Sequence, residues 1–383
     1  LVLEKNIEYH ILGNHYFANA KALIFLGIFF DGSVANRWLS RGLCILSKEL
    51  DNQILPDGAN YELSPMYHCI FLEDVLDLTN ILRTSSSTES HLLLSKLEAI
   101  IPKMLTWMIN MTFDDGHISC FNDSAINVAS KSSEIIDYAL DLGFTVPEKQ
   151  KNKMLSYQYL ESSGYIAIVR DKTKMILDVA KLGPDNLLAH GHADTLSFEM
   201  AEGENRIFVN SGTSCYGLNK RRDFERSTKA HNTVEINNIS SSETWSSFRV
   251  ARRAYPYDLF INEYDENLII ECSHDGYKKI SKNLEHKRIW SINKKCITIE
   301  DNVYGDYESA VSRFILHSDV VLKKISQNEF ILTLSDRVKL KFNISIGKAQ
   351  ITKWKHTNKF GTLFDTSCIE VSLIDSKSLV EII

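Results

Sequence analysis

The chain has 383 residues, 44% of them hydrophobic and 24% charged, with a formal net charge of −6; this is an ordinary globular composition, long enough for two domains. A pI near 6.1 gives no global basic field, so nucleic acid is excluded as a partner and any anionic ligand must be held by local groups. The longest apolar run, ALIFLGIFF at 22–30, falls well short of the roughly 20 residues that span a bilayer; no membrane span is expected.

In chain order, the first part is helical. Apolar residues recur at helical spacing in NHYFANAKALIFLGIFF, NRWLSRGLCILSKEL, MYHCIFLEDVLDLTNIL and LLLSKLEAIIPKMLTWMI, which predicts four long helices in a domain over 1–150. The texture then changes to short β-rich runs, from GYIAIVRD and KMILDVAKL through LIIECS, HKRIWSI and KCITIED to VKLKFNI. Punctuated by turn residues, they predict a large antiparallel β-sandwich over 151–383. The seven cysteines are scattered, with no CxxC pair, and read as buried thiols rather than bridges. No signal peptide is visible. The chain opens with Leu1 inside a helical pattern, so the native N-terminus is expected to lie upstream.

Polar residues stand out in four places. Asn14 and His15 open the first strong helix, where Asn is equally a good cap. Ser64 and Pro65 read as an N-cap and first helical position, which leaves Tyr67 and His68 in the first turn. AHGHADTLSFEM puts His190, His192 and Asp194 at alternate positions before a strand pattern, and so on one face if the chain is extended there. The following segment offers Asn210, Tyr216, Arg222, Arg226 and His231. Three histidines with a carboxylate fit a divalent metal site, since neutral imidazole suits zinc. The arginines are either a solvated face or guanidinium groups for carboxylate or sulfate recognition.

AHGHADTLSFEM, FVNSGTSCYG, FERSTKAHNTVEIN and SSETWSSFRVARRAYP resemble, in consecutive order, the signature blocks of the heparinase II/III-like family of polysaccharide lyases. NHYFANAKALIFLGIFF and the Tyr67 block resemble that family's preceding toroid helices. The resemblance implies an α+β multidomain fold, an incomplete α/α toroid followed by a large antiparallel β-sandwich, with an acidic, uronate-containing polysaccharide or oligosaccharide in the cleft between them. It implies cleavage by β-elimination: the uronate carboxylate is neutralised, the C5 proton is removed, and the glycosidic oxygen leaves from C4. The chemistry needs preorganised donors around the developing charge and an acid or base within hydrogen-bond reach. Carried over by residue, Asn14 neutralises the carboxylate and His15 is a possible base. Tyr67 becomes the acid or base, and His190 helps to neutralise or abstract. Tyr216, Arg222 and Arg226 are expected to bind substrate. His192 and His231 are expected to hold a structural zinc, with Asn210 where the family commonly has aspartate. An amide oxygen is a poor ligand, so the metal is weak, absent or completed by Asp194. The expected location is periplasmic or secreted, with cytoplasmic as the alternative. The competing function is a non-catalytic member that grips an acidic glycan, since fold does not establish activity.

Overall fold

The structure, a computed structural model, describes residues 2–146, 154–335 and 338–383. Its helical part runs α1 (Val2–Lys5), α2 (Gly13–Phe29), α3 (Ser33–Gln53), α4 (Pro65–Leu82), α5 (Thr88–Asn110) and α6 (Ser132–Asp141). The four long predicted helices are α2 to α5; α6, from SSEIIDYALD, was not anticipated. α2 packs on α3 and α4 on α5, and contacts of α2 with α4 and of α3 with α5 join the two pairs into the incomplete α/α toroid. Two glycines let α2 and α3 approach closely: a Cβ on Gly27 would stand 2.6 Å from Leu39 Cβ, and one on Gly42 would stand 2.7 Å from Ile24 Cγ1. Phe17, Leu23, Ile24, Leu46, Leu72, Leu76 and Met104 fill the core between the helices. None of the described helices is long and apolar enough to cross a membrane.

The last toroid helix ends at Asp141 and the first strand begins at Leu155; the expected boundary between residues 150 and 151 lies outside the described residues. The strands are β1 (Leu155–Leu160), β2 (Tyr165–Arg170), β3 (Thr173–Asp178), β4 (Phe198–Glu202) and β5 (Asn205–Phe208), then a short helix α7 (Lys220–Glu225). There follow β6 (Val234–Ile236), β7 (Thr244–Trp245), β8 (Arg249–Val250), β9 (Pro256–Tyr264), β10 (Asn267–His274), β11 (Glu285–Ile292), β12 (Ile297–Tyr304) and β13 (Ala310–Ile315). The chain closes with β14 (Val321–Lys324), β15 (Glu329–Ser335), β16 (Val338–Ile346), β17 (Lys348–Lys359), β18 (Thr362–Ser372) and β19 (Lys377–Ile382). They form sheets of order β1-β2-β3-β4-β5, β14-β15-β16-β19-β12-β11-β10-β9 and β17-β18-β13-β6, plus the β7-β8 hairpin. Every strand pairing is antiparallel.

β3 and the first four residues of β2 are buried on both faces, which is why YIAI and MIL are continuous apolar runs rather than alternating ones. Ile166, Ile168, Met175 and Leu177 face the sandwich core with Trp290, Ile299, Phe314, Phe342 and Val380. On the other face, Tyr165, Ile176 and Ala201 pack against Leu63, Trp107, Met111 and Phe121 of the helical part. Polar joints close this seam. Trp107 Nε1 donates to Ser163 Oγ at 2.9 Å, and Arg206 pairs with Asp115 at 2.7 Å.

The strand pattern that follows His190, His192 and Asp194 forms β4, but the stretch that carries them is not itself a strand. Residues 189–197 of AHGHADTLS form no ladder, and Leu196 has a φ of 62°. The segment is buried, so its backbone groups find other partners: His190 O accepts from Asp123 N at 3.0 Å, and Ala193 N donates to Arg226 O at 2.9 Å.

Candidate active site

The site forms where the α4 N-terminus, the loop after α5 and the segment before β4 converge. Ser64 caps α4, its Oγ accepting from Tyr67 N at 3.2 Å with Pro65 next in line, as the spacing predicts. The same Oγ donates to Asp123 O at 2.7 Å and meets Ser124 Oγ at 3.0 Å, which bolts the helix start to the loop. Asn122 completes the joint: its Nδ2 donates to Leu63 O at 3.0 Å, and its Oδ1 accepts from His192 N at 2.9 Å.

Asp123 is the centre of this construction. Its oxygens take His190 Nδ1 at 2.9 Å, His192 Nε2 at 2.8 Å and both terminal nitrogens of Arg222. Burial alone would raise its pKa, but those donors outweigh it and hold the carboxyl well below its usual range. His190 and His192 therefore do share one partner, through a loop rather than a pleat. Asp194 points elsewhere: its Oδ2 accepts from Asn122 N at 3.3 Å, and burial pushes its carboxyl up to about 7.

Tyr67 lies against His190, ring centroids 3.9 Å apart, and its hydroxyl meets that of Tyr216 at 3.2 Å. Burial pushes the Tyr67 phenol up to about 12 and raises that of Tyr216 as well. His190 Nε2 faces Glu62 Oε2 at 3.2 Å, so its ring is held between two carboxylates of the helical part. Burial raises the Glu62 carboxyl, tempered by His190 and by the Asn14 backbone N–H. Asn14 lies in the first turn of α2, whose N-cap is Leu12; it is not the cap. Its half-buried carboxamide makes no hydrogen bond among the described residues. His15 is exposed at the rim, Nδ1 3.4 Å from Glu8 Oε2, and close enough to Glu62 to act on its charge.

The arginines correct an expectation. Arg222 and Arg226, read as substrate-binding, are 0% and 1% exposed. Arg222 is spent on Asp123 and on Ser247 O at 3.0 Å. Arg226 donates to Gly191 O at 2.9 Å and to Ser247 O at 2.7 Å. They lie beneath the cleft wall and hold it, because a buried guanidinium must use its donors on fixed partners. Tyr216 does reach the cleft. Sequence reasoning missed Glu62 and Asp123. Glu62 stands in the same YELSPMY block as Tyr67, and Asp123 in the polar triplet NDS after an apolar Phe, but neither pattern reveals burial.

His192 and His231 are brought together, and Asn210 is tied to the backbone of Asn232, the residue after His231. His192 Nε2 is committed to ionised Asp123, and His231 Nδ1 to Ser227 O at 2.8 Å, so those nitrogens carry the protons. The remaining nitrogens, His192 Nδ1 and His231 Nε2, face each other at 3.2 Å with lone pairs opposed. A cation between them relieves that opposition, so the two imidazoles fit a metal. Burial holds His192 down to about 4, in the neutral form a ligand needs. The third ligand fits poorly. Asn210 Oδ1 accepts from Asn232 N at 3.3 Å, and its buried Nδ2 has no partner. Among the described residues no group of three His, Cys, Asp or Glu is gathered around a common point.

An incomplete helical toroid seated on an antiparallel sandwich, with tyrosine, histidine and carboxylate meeting at their junction, defines the class of protein. Residues 2–150 match the heparinase II/III N-terminus family and residues 155–366 the heparinase II/III-like C-terminal family. The chain belongs to the heparinase II/III-like family. It is 23% identical over 329 residues to a heparin-sulfate lyase of Bacteroides stercoris, covering 79% of this chain and 46% of that protein. To a heparin-sulfate lyase of Pedobacter heparinus it is 23% identical over 320 residues, 77% of this chain and 44% of the relative. The chain thus spans a little under half the length of these relatives. A crystal structure of heparinase III superposes with a TM-score of 0.80 at 20% identity, over 98% of this chain and 62% of the other, which is a likeness of fold.

Proposed function

We propose that the chain carries the catalytic centre of a polysaccharide lyase that cleaves a uronate-containing glycosaminoglycan by β-elimination. The observation that carries this reading is the Tyr67 hydroxyl, bonded to Tyr216 and stacked on a histidine held between two carboxylates. A phenol at about 12 is a poor base at neutral pH and a competent proton donor. Tyr67 accordingly protonates the glycosidic oxygen as it leaves C4. The C5 proton goes to His15, the exposed imidazole at the rim. The Asn14 carboxamide and His190 stabilise the charge that builds on the uronate carboxylate, donors that act where charge develops. Asp123 and Glu62 keep His190 in place. The relatives named as heparin-sulfate lyases support a sulfated uronate polymer as substrate, which suits a periplasmic or secreted protein. A zinc ion held by His192, His231 and weakly by Asn210 would cross-link the segments beneath the cleft, a structural rather than a chemical contribution.

The test is to incubate the protein with heparan sulfate, heparin, chondroitin sulfate and alginate and follow the ultraviolet absorbance of the unsaturated product. Absorbance gained with one polymer and lost in Tyr67→Phe is the expected result. Tight binding of the polymers with no absorbance change would instead favour a non-catalytic glycan-binding member.

A further inference from the structure

Between β7 and β8 the chain turns through Ser246 and Ser247, with φ of 47° and 63°. The loop is three residues long, since Trp245 pairs with Arg249, and two successive positive φ values are left-handed backbone that favours Gly and Asn because a Cβ is crowded there. Serines are held there only if the surroundings impose it. The imposing groups are the two buried arginines: Ser247 O accepts from Arg222 Nε at 3.0 Å and from Arg226 Nη1 at 2.7 Å. Through Arg222 the turn is tied to Asp123 and hence to His190.

What this pinned turn presents is aromatic. Phe248 is 40% exposed, packs on Tyr216 with centroids 5.5 Å apart, and stands edge-on to His190 at 6.3 Å. Phe360, at the tip of the β17-β18 hairpin and 41% exposed, touches Tyr216 from another side at 5.3 Å. A row of rings therefore flanks the Tyr67 hydroxyl. Trp245, on the same turn as Phe248, is 52% exposed with the Arg249 guanidinium 5.6 Å from its ring. Arg252 follows, with 70% of its side chain exposed. Folding gains little from half-exposed rings on a strained turn, whereas a ligand gains much. The C–H face of a pyranose stacks on the negative face of an aromatic ring, and sulfate or carboxylate groups on the sugar meet guanidinium donors.

We infer that the Thr244–Val250 hairpin is a sugar-gripping finger. Phe248 and Phe360 stack the sugars on either side of the reacting uronate, and Trp245 with Arg249 takes the next acidic sugar outward. This rests on the lyase reading and adds the element that sets chain-length preference.

Steady-state cleavage of size-defined heparan sulfate tetrasaccharides and octasaccharides tests it. Trp245→Ala should raise KM for the octasaccharide about tenfold and move that for the tetrasaccharide less than threefold, with kcat little changed; Trp245→Phe should restore most of the loss. Phe248→Ala should raise KM for both lengths. Arg249→Gln should flatten the dependence of KM on salt. Tyr264→Ala, a half-exposed ring at the far β9-β10 turn, is the control that should change nothing. Normal cleavage with unchanged KM in folded Trp245→Ala and Phe248→Ala proteins overturns the finger and leaves the lyase intact. A wild type that neither binds nor cleaves either oligosaccharide overturns both.

Discussion

At the scale of single residues, two side chains decide whether the cleft works. Tyr67→Phe keeps the ring on His190 and deletes only the hydroxyl. The melting temperature should hardly move, while turnover falls about 10²- to 10⁴-fold, the usual contribution of a positioned acid. Turnover within a few-fold of wild type on a cleaved polymer would remove Tyr67 from the chemistry. Asp123 is different in kind. Asp123→Asn leaves Arg222 buried without its counter-charge and takes a hydrogen-bond acceptor from His190 and His192. Breaking one side of a buried ion pair costs about 3–5 kcal/mol, so denaturant midpoints should fall steeply along with activity. A variant as stable as wild type would mean that water or a neighbour replaces the carboxylate.

At the scale of elements, α4 is the part that must be placed. Its first turn carries both Tyr67, facing the cleft, and His68, facing the core. His68 Nδ1 accepts from Asn60 N at 3.1 Å, and its Nε2 donates to Met104 O at 3.0 Å. Accepting at Nδ1 requires the neutral ring, and burial lowers its pKa to about 4 from the usual value of about 6.5. Because the folded value is depressed, the unfolded chain binds the extra proton first as pH falls. The stabilisation is thus complete above about 6.5 and is lost as pH drops toward 4, on the order of 3 kcal/mol. Urea titrations from pH 7 to pH 4 should show this loss, and His68→Gln should flatten the slope. An unchanged slope would place the acid sensitivity elsewhere. The pattern of α4 was legible beforehand, since the Ser-Pro start sets the register that puts Tyr67 in the first turn. That the loop before it returns Glu62 to the same site was not, because the positive φ of Leu63, 57°, is a tertiary constraint and not a propensity.

At the scale of the whole molecule, the helical and β parts share an apolar seam and a polar hub, so they should unfold together. Calorimetry should give one transition, and Trp107→Ala, which empties the seam and removes the bond to Ser163, should cost about 3–5 kcal/mol. Two separate transitions in the wild type would show that the seam does not couple them. The zinc proposal belongs to this scale as well. Protein purified without added metal should contain zinc, and a chelator should lower its melting temperature. No metal and no shift would mean that His192 and His231 serve only through their hydrogen bonds to Asp123 and Ser227.

Local pattern determined a good part of this protein. The switch from a period of 3.6 to a period of 2 separates the helical from the β part, and helix caps and doubly buried strands follow from residues a few positions apart. Periodicity reports which face of an element is apolar, and that is a local property. The family's signature blocks also marked Asn14, Tyr67, His190 and Tyr216. Only the tertiary structure decided which polar groups are buried and what they face. Asp123 meets His190 across 67 positions and Arg222 across 99, and no local pattern distinguishes a solvated aspartate from one surrounded by buried donors. Arginines that read as ligands for an acidic sugar became supports for the wall beneath it. The reason is desolvation: a charge removed from water is satisfied only by partners that folding brings to it.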